Sequence, residues 1–373
     1  MSGAIAELPV SHDDGSGLNQ GTERLLFLHV GRGKTGTTSL QAALAANRER
    51  LLHAGCAYPL PPAQENDGLG LVAANASWLF GSPAALPFQL QGQATREDMI
   101  VENFRRWLPL FPPTQKCIVS SEFLWGLSED ALRNIAHLIA AAGFRPVVIA
   151  YLREQADHLV SWYCQNVRKR RIVAPLAEVF LKRATKLAAD DTGMDASNYD
   201  VAIGKLERAF DSENILPRVW QRDRLVGGGT SADFLAQLGV GLPLSLSEPS
   251  MNQSAGVVEV EAMRRIMISG EYPDIRISTL SKIALKRGAL PVRDFIAQVA
   301  PEIVEDFRAA YRASNERVRA RYFNSQTLLF DMAPFGEQPS TATIEAEVAD
   351  LVRAYRKRRA RETRPANLQA ANG

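Results

Sequence analysis

Short apolar runs alternate with stretches of helical period along most of this chain. Leu25-Leu-Phe-Leu-His-Val30 is apolar at nearly every position, as a strand covered on both faces should be. Lys116-Cys-Ile-Val-Ser-Ser121 reads as a second strand, and Pro146-Val-Val-Ile-Ala-Tyr-Leu152 is apolar enough for the sheet centre. Ile215-Leu-Pro-Arg-Val219 contains Pro217, which lacks the N–H that a central strand needs, so it reads as an edge. Between these runs the period is helical. Leu40, Leu44 and Leu51 mark one face of a helix beginning near Thr37, and further helices are predicted near 97–108 and 129–142. Leu159, Tyr163 and Val167 share a face, as do Tyr199, Ile203, Leu206 and Phe210. Beyond residue 250 the pattern turns helical, with Ile303, Phe307, Tyr311, Val318 and Tyr322 on one side. The alternation predicts an α/β fold with a mostly parallel central sheet and a helical C-terminal part.

Residues 1–22 are small and polar, and read as a flexible leader. Residues 23–335 read as one domain. Within it, 58–95 carry Pro59, Pro61, Pro62, Gly68, Gly70, Gly81, Pro83 and Pro87, a long loop of the kind that often serves as a substrate lid. Trp78 and Phe80 in that stretch read equally as core anchors. Residues 336–373 read as a helical, basic tail. Its cluster, Arg356-Lys-Arg-Arg359 with Arg361 and Arg364, is either a solvated helix face or a peripheral contact with a membrane surface or polyanion.

Composition narrows the class. The chain has 373 residues, 46% hydrophobic and 23% charged, which suits an ordinary globular protein. A net charge of +2 gives no global reason to expect a nucleic-acid partner. Cys56, Cys117 and Cys164 are too few and scattered for a disulfide framework or a zinc site. Cys117 and Cys164 lie in apolar-periodic segments and read as small buried hydrophobes. No cluster asks for a metal. No run of 18 apolar residues occurs, so no transmembrane helix is expected. The first residues lack a basic start and an apolar stretch, so no secretory signal is expected and the predicted location is cytoplasmic.

The candidate chemistry begins at Gly31-Arg-Gly-Lys-Thr-Gly-Thr-Thr-Ser39, which follows the first apolar run and opens a helix. A strand, a Gly-rich turn and a helix N-terminus together make an anion site. Three motifs compete for this segment. Gly31-x-Gly33-x-x-Gly36 matches a dinucleotide fingerprint, but that motif needs a carboxylate about 20 residues on, and Leu51–Pro59 has none. Gly31 and Gly36 have the separation of a triphosphate P-loop, as in a kinase or ATPase using ATP and magnesium. There, however, Thr37 stands in place of the motif's lysine, and Lys34 lies inside the loop. The third reading takes Lys34-Thr35-Gly36-Thr37-Thr38 as it stands: a lysine before the second glycine, then two hydroxyls opening the helix.

That string, within His29-Val-Gly-Arg-Gly-Lys-Thr-Gly-Thr-Thr-Ser-Leu-Gln41, resembles the 5′-phosphosulfate loop of sulfotransferases that use 3′-phosphoadenosine 5′-phosphosulfate, in their bacterial, carbohydrate-type branch. The resemblance implies a three-layer α/β sandwich of the P-loop NTPase type. It implies that Gly33, Lys34, Thr35, Gly36, Thr37, Thr38 and Ser39 hold the donor's 5′ side, with Lys34 at the bridging oxygen. The family's 3′-phosphate signature, an Arg ending a strand and a Ser eight residues on, is matched by Arg153 and Ser161. The family's base at the end of the intervening strand is matched by Glu122, a carboxylate as in several carbohydrate-modifying members. The resemblance thus implies sulfonyl transfer without a metal, in line, from donor to an acceptor hydroxyl on a carbohydrate or glycolipid, with Glu122 as base.

Further similar stretches are Asn198-Tyr199, Trp220-Gln-Arg-Asp-Arg224, Phe234–Gly239, Asn252-Gln-Ser254 and Tyr311–Asn315. The chain departs from the animal cytosolic members in lacking a clear arginine-lysine-glycine segment, of which Lys286-Arg-Gly288 is a faint echo. Arg168-Lys-Arg-Arg171 reads either as positive charge near the same pocket or as a solvated face.

Overall fold

The computed structural model describes residues 23–59, 96–188, 196–240, 255–288, 292, 294–331 and 339–362. The leader at 1–22, almost all of the 58–95 segment with Trp78 and Phe80, the Asn252–Ser254 stretch and Arg364 lie outside the described residues.

Five strands, β1 (Arg24–His29), β2 (Cys56–Ala57), β3 (Lys116–Ser120), β4 (Phe144–Leu152) and β5 (Ile215–Val219), form a sheet in the order β2-β3-β1-β4-β5. All four pairings are parallel, with His29 level with Ser120 on one side and with Ile149 on the other. The carboxyl ends of the strands therefore share one edge. β1 occupies the centre and β4 stands beside it, while Pro217 lies on the outermost strand, where a missing donor costs nothing. β2, two residues long, is too short to register as a periodic signal.

Two helical layers cover the sheet. On one face pack α3 (Arg96–Trp107), α4 (Glu129–Ala141) and α7 (Tyr199–Phe210), whose Phe104, Ile135 and Leu206 meet Leu26, Leu28 and Val30. On the other lie α1 (Thr37–Ala46), α2 (Arg48–His53) and α8 (Thr230–Gln237), with Leu40, Leu51 and Phe234 against Phe27, Ile149 and Tyr151. Successive β1 residues enter opposite layers, so the run has no polar side to show. Burying one such side chain stabilises by about 1.5–3 kcal/mol. The chain is an α/β three-layer sandwich.

The helix expected from Thr37 through Leu51 is two helices. Asn47 leaves helical geometry (φ −114°, ψ 21°) while its side-chain amide donates to the Ala43 carbonyl at 2.9 Å, ending α1. Leu51 is nevertheless buried, on α2.

A separate helical core holds α5 (Gln155–Arg168), α6 (Leu176–Ala188), α9 (Val257–Ser269), α10 (Ile277–Arg287), α11 (Pro301–Tyr322) and α12 (Thr341–Glu362). Phe180, Met263, Phe307, Tyr311 and Val348 fill it. α12 buries Ile344, Val348, Leu351 and Tyr355 there. Its basic run is largely paired: Arg356 with Glu271 at 2.9 Å, Arg358 with Glu362 at 2.8 Å and Arg359 with Asp274 at 2.9 Å. Gly288 caps α10 in the left-handed region (φ 66°). Among the described residues no helix is long and apolar enough to cross a membrane.

One polar cluster inside the sandwich fixes α8 to the sheet. Asp233, fully buried, accepts from Tyr151 Oη at 2.9 Å, from Arg218 Nε at 3.0 Å and Nη2 at 2.5 Å, and from the Val226 N–H at 3.1 Å. Removing the carboxylate strands a guanidinium, a phenol and an amide. Asp233→Ala should lower stability by about 3–5 kcal/mol in urea denaturation, while an apolar replacement of both Asp233 and Arg218 recovers most of that loss. A loss below about 1 kcal/mol would show that the pair carries no such weight.

Candidate active site

The loop between β1 and α1 is shaped by its carbonyls. Gly33 O accepts from His158 Nε2 at 3.0 Å, Lys34 O from Arg153 Nη1 at 2.8 Å and Thr35 O from Thr230 Oγ1 at 3.1 Å. Arg32 O accepts from Thr35 Oγ1 at 2.8 Å. Three successive carbonyls are thus held by α5, by the residue that follows β4 and by α8. In a trans peptide the N–H points opposite to its carbonyl, so the N–H groups of Lys34, Thr35 and Gly36 face the other way. Among the described residues those N–H groups have no partner. Lys34 (φ 80°) and Gly36 (φ 78°) are left-handed with Thr35 between them at negative φ, the alternation that makes an anion-binding nest.

Gly36 answers two demands. Its φ disfavours a side chain, and a Cβ there would meet Thr230 Oγ1 at 2.5 Å. Thr230 is held in turn by Trp220 Nε1 at 2.9 Å. No side chain caps the N-terminus of α1, whose positive end therefore faces the nest. Thr37 is buried with its Oγ1 unpartnered, Thr38 is exposed and Ser39 half-buried in the same first turn.

The neighbouring strand ends converge on this loop. Glu122 follows β3 and opens a 3-10 turn, Glu122–Gly126, for which Ser121 provides the cap by accepting from the Phe123 N–H at 3.3 Å. A Cβ on Gly33 would lie 3.1 Å from Glu122 Oε2, so the carboxylate rests against the loop. Arg153 follows β4. Its guanidinium lies 4.5 Å from the centre of the Trp220 ring, and its buried Nε has no hydrogen-bond partner. Tyr199 Oη brackets the Arg153 backbone, donating to its carbonyl at 2.5 Å and accepting from its N–H at 3.2 Å. Ser161 lies three residues from His158, on the same face of α5 one turn on. Lys34, Glu122 and Arg153 are thus gathered at one loop, with Ser161 on the helix that braces it.

Electrostatics follow from this crowding. Burial pushes the Lys34 ammonium below the ordinary lysine value, and the charges of Arg168, Lys169 and Arg153 add to the shift, while Glu122 opposes it. Arg168 and Lys169 therefore lie within electrostatic reach of Lys34. Cys164, on α5, feels the Lys34, Arg153 and Arg168 charges too, yet burial dominates and pushes its thiol up to about 12. Among the described residues no group of three or more His, Cys, Asp or Glu is placed to hold a metal ion.

Several participants were not singled out from the sequence. His29 is fully buried at the end of β1, its Nδ1 2.8 Å from Ser120 Oγ, which Gln41 Nε2 also reaches at 3.1 Å. Its ring meets Tyr151 and Phe234 edge-on. His158 and Thr230 hold loop carbonyls across 125 and 195 residues of chain, and no local pattern foretells that. Trp220 directly follows β5, so the rule that ligands gather at strand carboxyl ends is the signal that could have found it.

Burial holds the His29 imidazole down to about 3, and burial also holds His158 well below the ordinary histidine value, with Arg32 and Arg153 adding to it. A folded pKa below the unfolded one makes the unfolded chain bind more protons. Stability from His29 is therefore full above about pH 6.5 and drains away as pH falls toward 3, by ~1.4 kcal/mol per pH unit. Denaturant titrations across that range should show the loss, and His29→Gln should reduce its slope while the share of His158 remains; an unchanged slope in the variant would contradict a neutral buried His29.

No family model and no curated protein matches this chain. Among solved structures, it is similar to the crystal structure of a sulfotransferase from Alicyclobacillus acidocaldarius. The two share 15% identity over 80% of this chain and 96% of that one, with a TM-score of 0.39. A likeness at that level carries no argument about what this chain binds.

Proposed function

We propose that this chain transfers a sulfonyl group from 3′-phosphoadenosine 5′-phosphosulfate to an acceptor hydroxyl, on a carbohydrate or glycolipid. The observation that carries the reading is the nest itself: Lys34 stands inside it in a left-handed conformation, with Glu122 against Gly33 and Arg153 on the Lys34 carbonyl. The ATP–magnesium alternative asks for a lysine after Gly36, where Thr37 stands.

The residues present fit such a donor. Thr37 Oγ1 and Arg153 Nε are buried polar atoms without partners, and the N–H groups of Lys34, Thr35 and Gly36 add three more donors. In this reading Gly33 to Ser39 hold the 5′-phosphate, while Arg153 and Ser161 hold the 3′-phosphate. The donor supplies an activated sulfonyl attached to a good leaving group. Glu122 takes the acceptor's hydroxyl proton as its oxygen bonds to sulfur. Lys34 meets the negative charge that collects on the bridging oxygen as the bond from sulfur to that oxygen breaks. The acceptor oxygen and the leaving oxygen lie on opposite sides of sulfur, so the residues work by positioning and charge.

Lys34→Met and Glu122→Ala should each lower turnover by ~100-fold or more in a labelled-sulfonyl transfer assay, and near-normal turnover in Glu122→Ala would remove that residue as base. Ser161→Ala should weaken 3′,5′-adenosine bisphosphate binding by about tenfold with kcat little changed. Arg153→Ala should weaken binding and also slow turnover, because it releases the Lys34 carbonyl as well. The alkaline limb of kcat/KM should have its midpoint below 10.5, since Lys34 must carry its proton, and Arg168→Gln should move that midpoint upward. A fixed midpoint would exclude Lys34 as the titrating group.

A further inference from the structure

Four cations follow one another where α5 ends: Arg168, Lys169, Arg170 and Arg171, all exposed. Among the described residues none of their side chains has a hydrogen bond or an ion pair. No acidic residue occurs between Asp157 and Glu178, and Glu178 is itself paired with Lys182 at 2.5 Å. In the C-terminal run, by contrast, Arg356, Arg358 and Arg359 are matched to Glu271, Glu362 and Asp274. The helix dipole accounts for a cation in the last turn, as Arg168 is, but its effect fades beyond that turn. Arg170 is the outlier. It stands in the left-handed region (φ 59°) at the residue that closes the helix. Its N–H donates to the Val167 carbonyl at 2.8 Å, and the Arg171 N–H to the Asn166 carbonyl at 2.8 Å. Glycine takes that place without strain. A strained arginine there points to a use for its side chain.

Exposed apolar groups flank the cations. Trp162 is 40% exposed on α5, seven residues before Lys169 and so on the same face. Val173 is 47% exposed, two residues after Arg171. The segment that carries them is fixed in place: the Val173 carbonyl accepts from Arg264 Nη1 at 3.0 Å, and Ile172 packs on the helical core. Arg168 and Lys169 lie within electrostatic reach of Lys34, so this surface borders the candidate site. We propose that the end of α5 docks on an anionic lipid bilayer, with residues 168–171 on the headgroups and Trp162 and Val173 in the interface. Charge alone would suit any polyanion. A bilayer adds an apolar layer behind its phosphates, where an indole and an aliphatic side chain gain, whereas a soluble polyanion leaves Val173 in water. The docking does not rest on the transfer reading.

The test is co-sedimentation of the full chain with vesicles of phosphatidylcholine alone and of equimolar phosphatidylcholine and phosphatidylglycerol. Binding should require the anionic lipid. Arg170→Gly/Arg171→Gln should weaken it by about 25-fold, at roughly fivefold per cation near such a surface. Glycine suits the backbone at 170, so this variant should resist urea at least as well as the parent, which separates lost docking from lost folding. Trp162→Gln should weaken vesicle binding by about tenfold. Lys357→Gln/Arg361→Gln, two exposed positions of the C-terminal run, should leave it unchanged. No binding to anionic vesicles, or full binding by Arg170→Gly/Arg171→Gln, would overturn the inference. Full binding by Trp162→Gln would overturn it too, leaving a polyanion surface without a bilayer contact. So would a loss confined to the C-terminal pair, which would assign the docking to α12.

Discussion

Everything at the carboxyl edge of the sheet depends on where three carbonyls point. His158, Arg153 and Thr230 hold the carbonyls of Gly33, Lys34 and Thr35, and with them the plane of each peptide. A non-glycine residue in the left-handed region costs roughly 1–2 kcal/mol, and Lys34 is such a residue. Hydrogen bonds to buried or charged donors contribute about 1–3 kcal/mol apiece, so three of them outweigh that strain. The result is a set of N–H groups turned to one side before any ligand arrives. Preorganised donors need no rearrangement when charge develops in front of them.

The fold explains why these three donors are available together. β1 is central, with β3 on one side and β4 on the other, so its loop is flanked by the residues that follow both neighbours, Glu122 and Arg153. The order of strands reverses around β1, the place where open parallel sheets form their ligand crevice. α8 returns to the layer of α1 and is locked there by Asp233, which puts Thr230 beneath Gly36. α5 belongs at once to the site, through His158, and to the helical core, through Tyr163 and Val167.

Much of this could be read along the chain. The β1, β3 and β4 runs are legible because strands buried on both faces have no polar alternation to obscure them. Pro217 marked the edge strand by its missing donor. The faces of α5 and α7 were legible because Tyr163, Val167, Ile203 and Leu206 recur at helical spacing and are all buried. The break at Asn47 escaped, since the apolar period continues across it to Leu51 and the interruption is a single side-chain hydrogen bond. His29 escaped because a histidine inside an apolar run gives no sign of its partners, Ser120 and Gln41, which lie on another strand and another helix.

By itself, the sequence determined the alternation of strands and helices, the position of Lys34 ahead of Gly36, and the carboxylate and guanidinium at the ends of two strands. These are local properties, written in spacing and side-chain chemistry. Tertiary structure alone decided that Glu122 rests on Gly33, that Arg153 grips the Lys34 carbonyl while facing Trp220, and that Thr230 closes the loop from below. The physical reason is range. A hydrogen bond reaches about 3 Å, and contacts across 119 or 195 residues exist only once the sheet has brought its carboxyl ends to one edge.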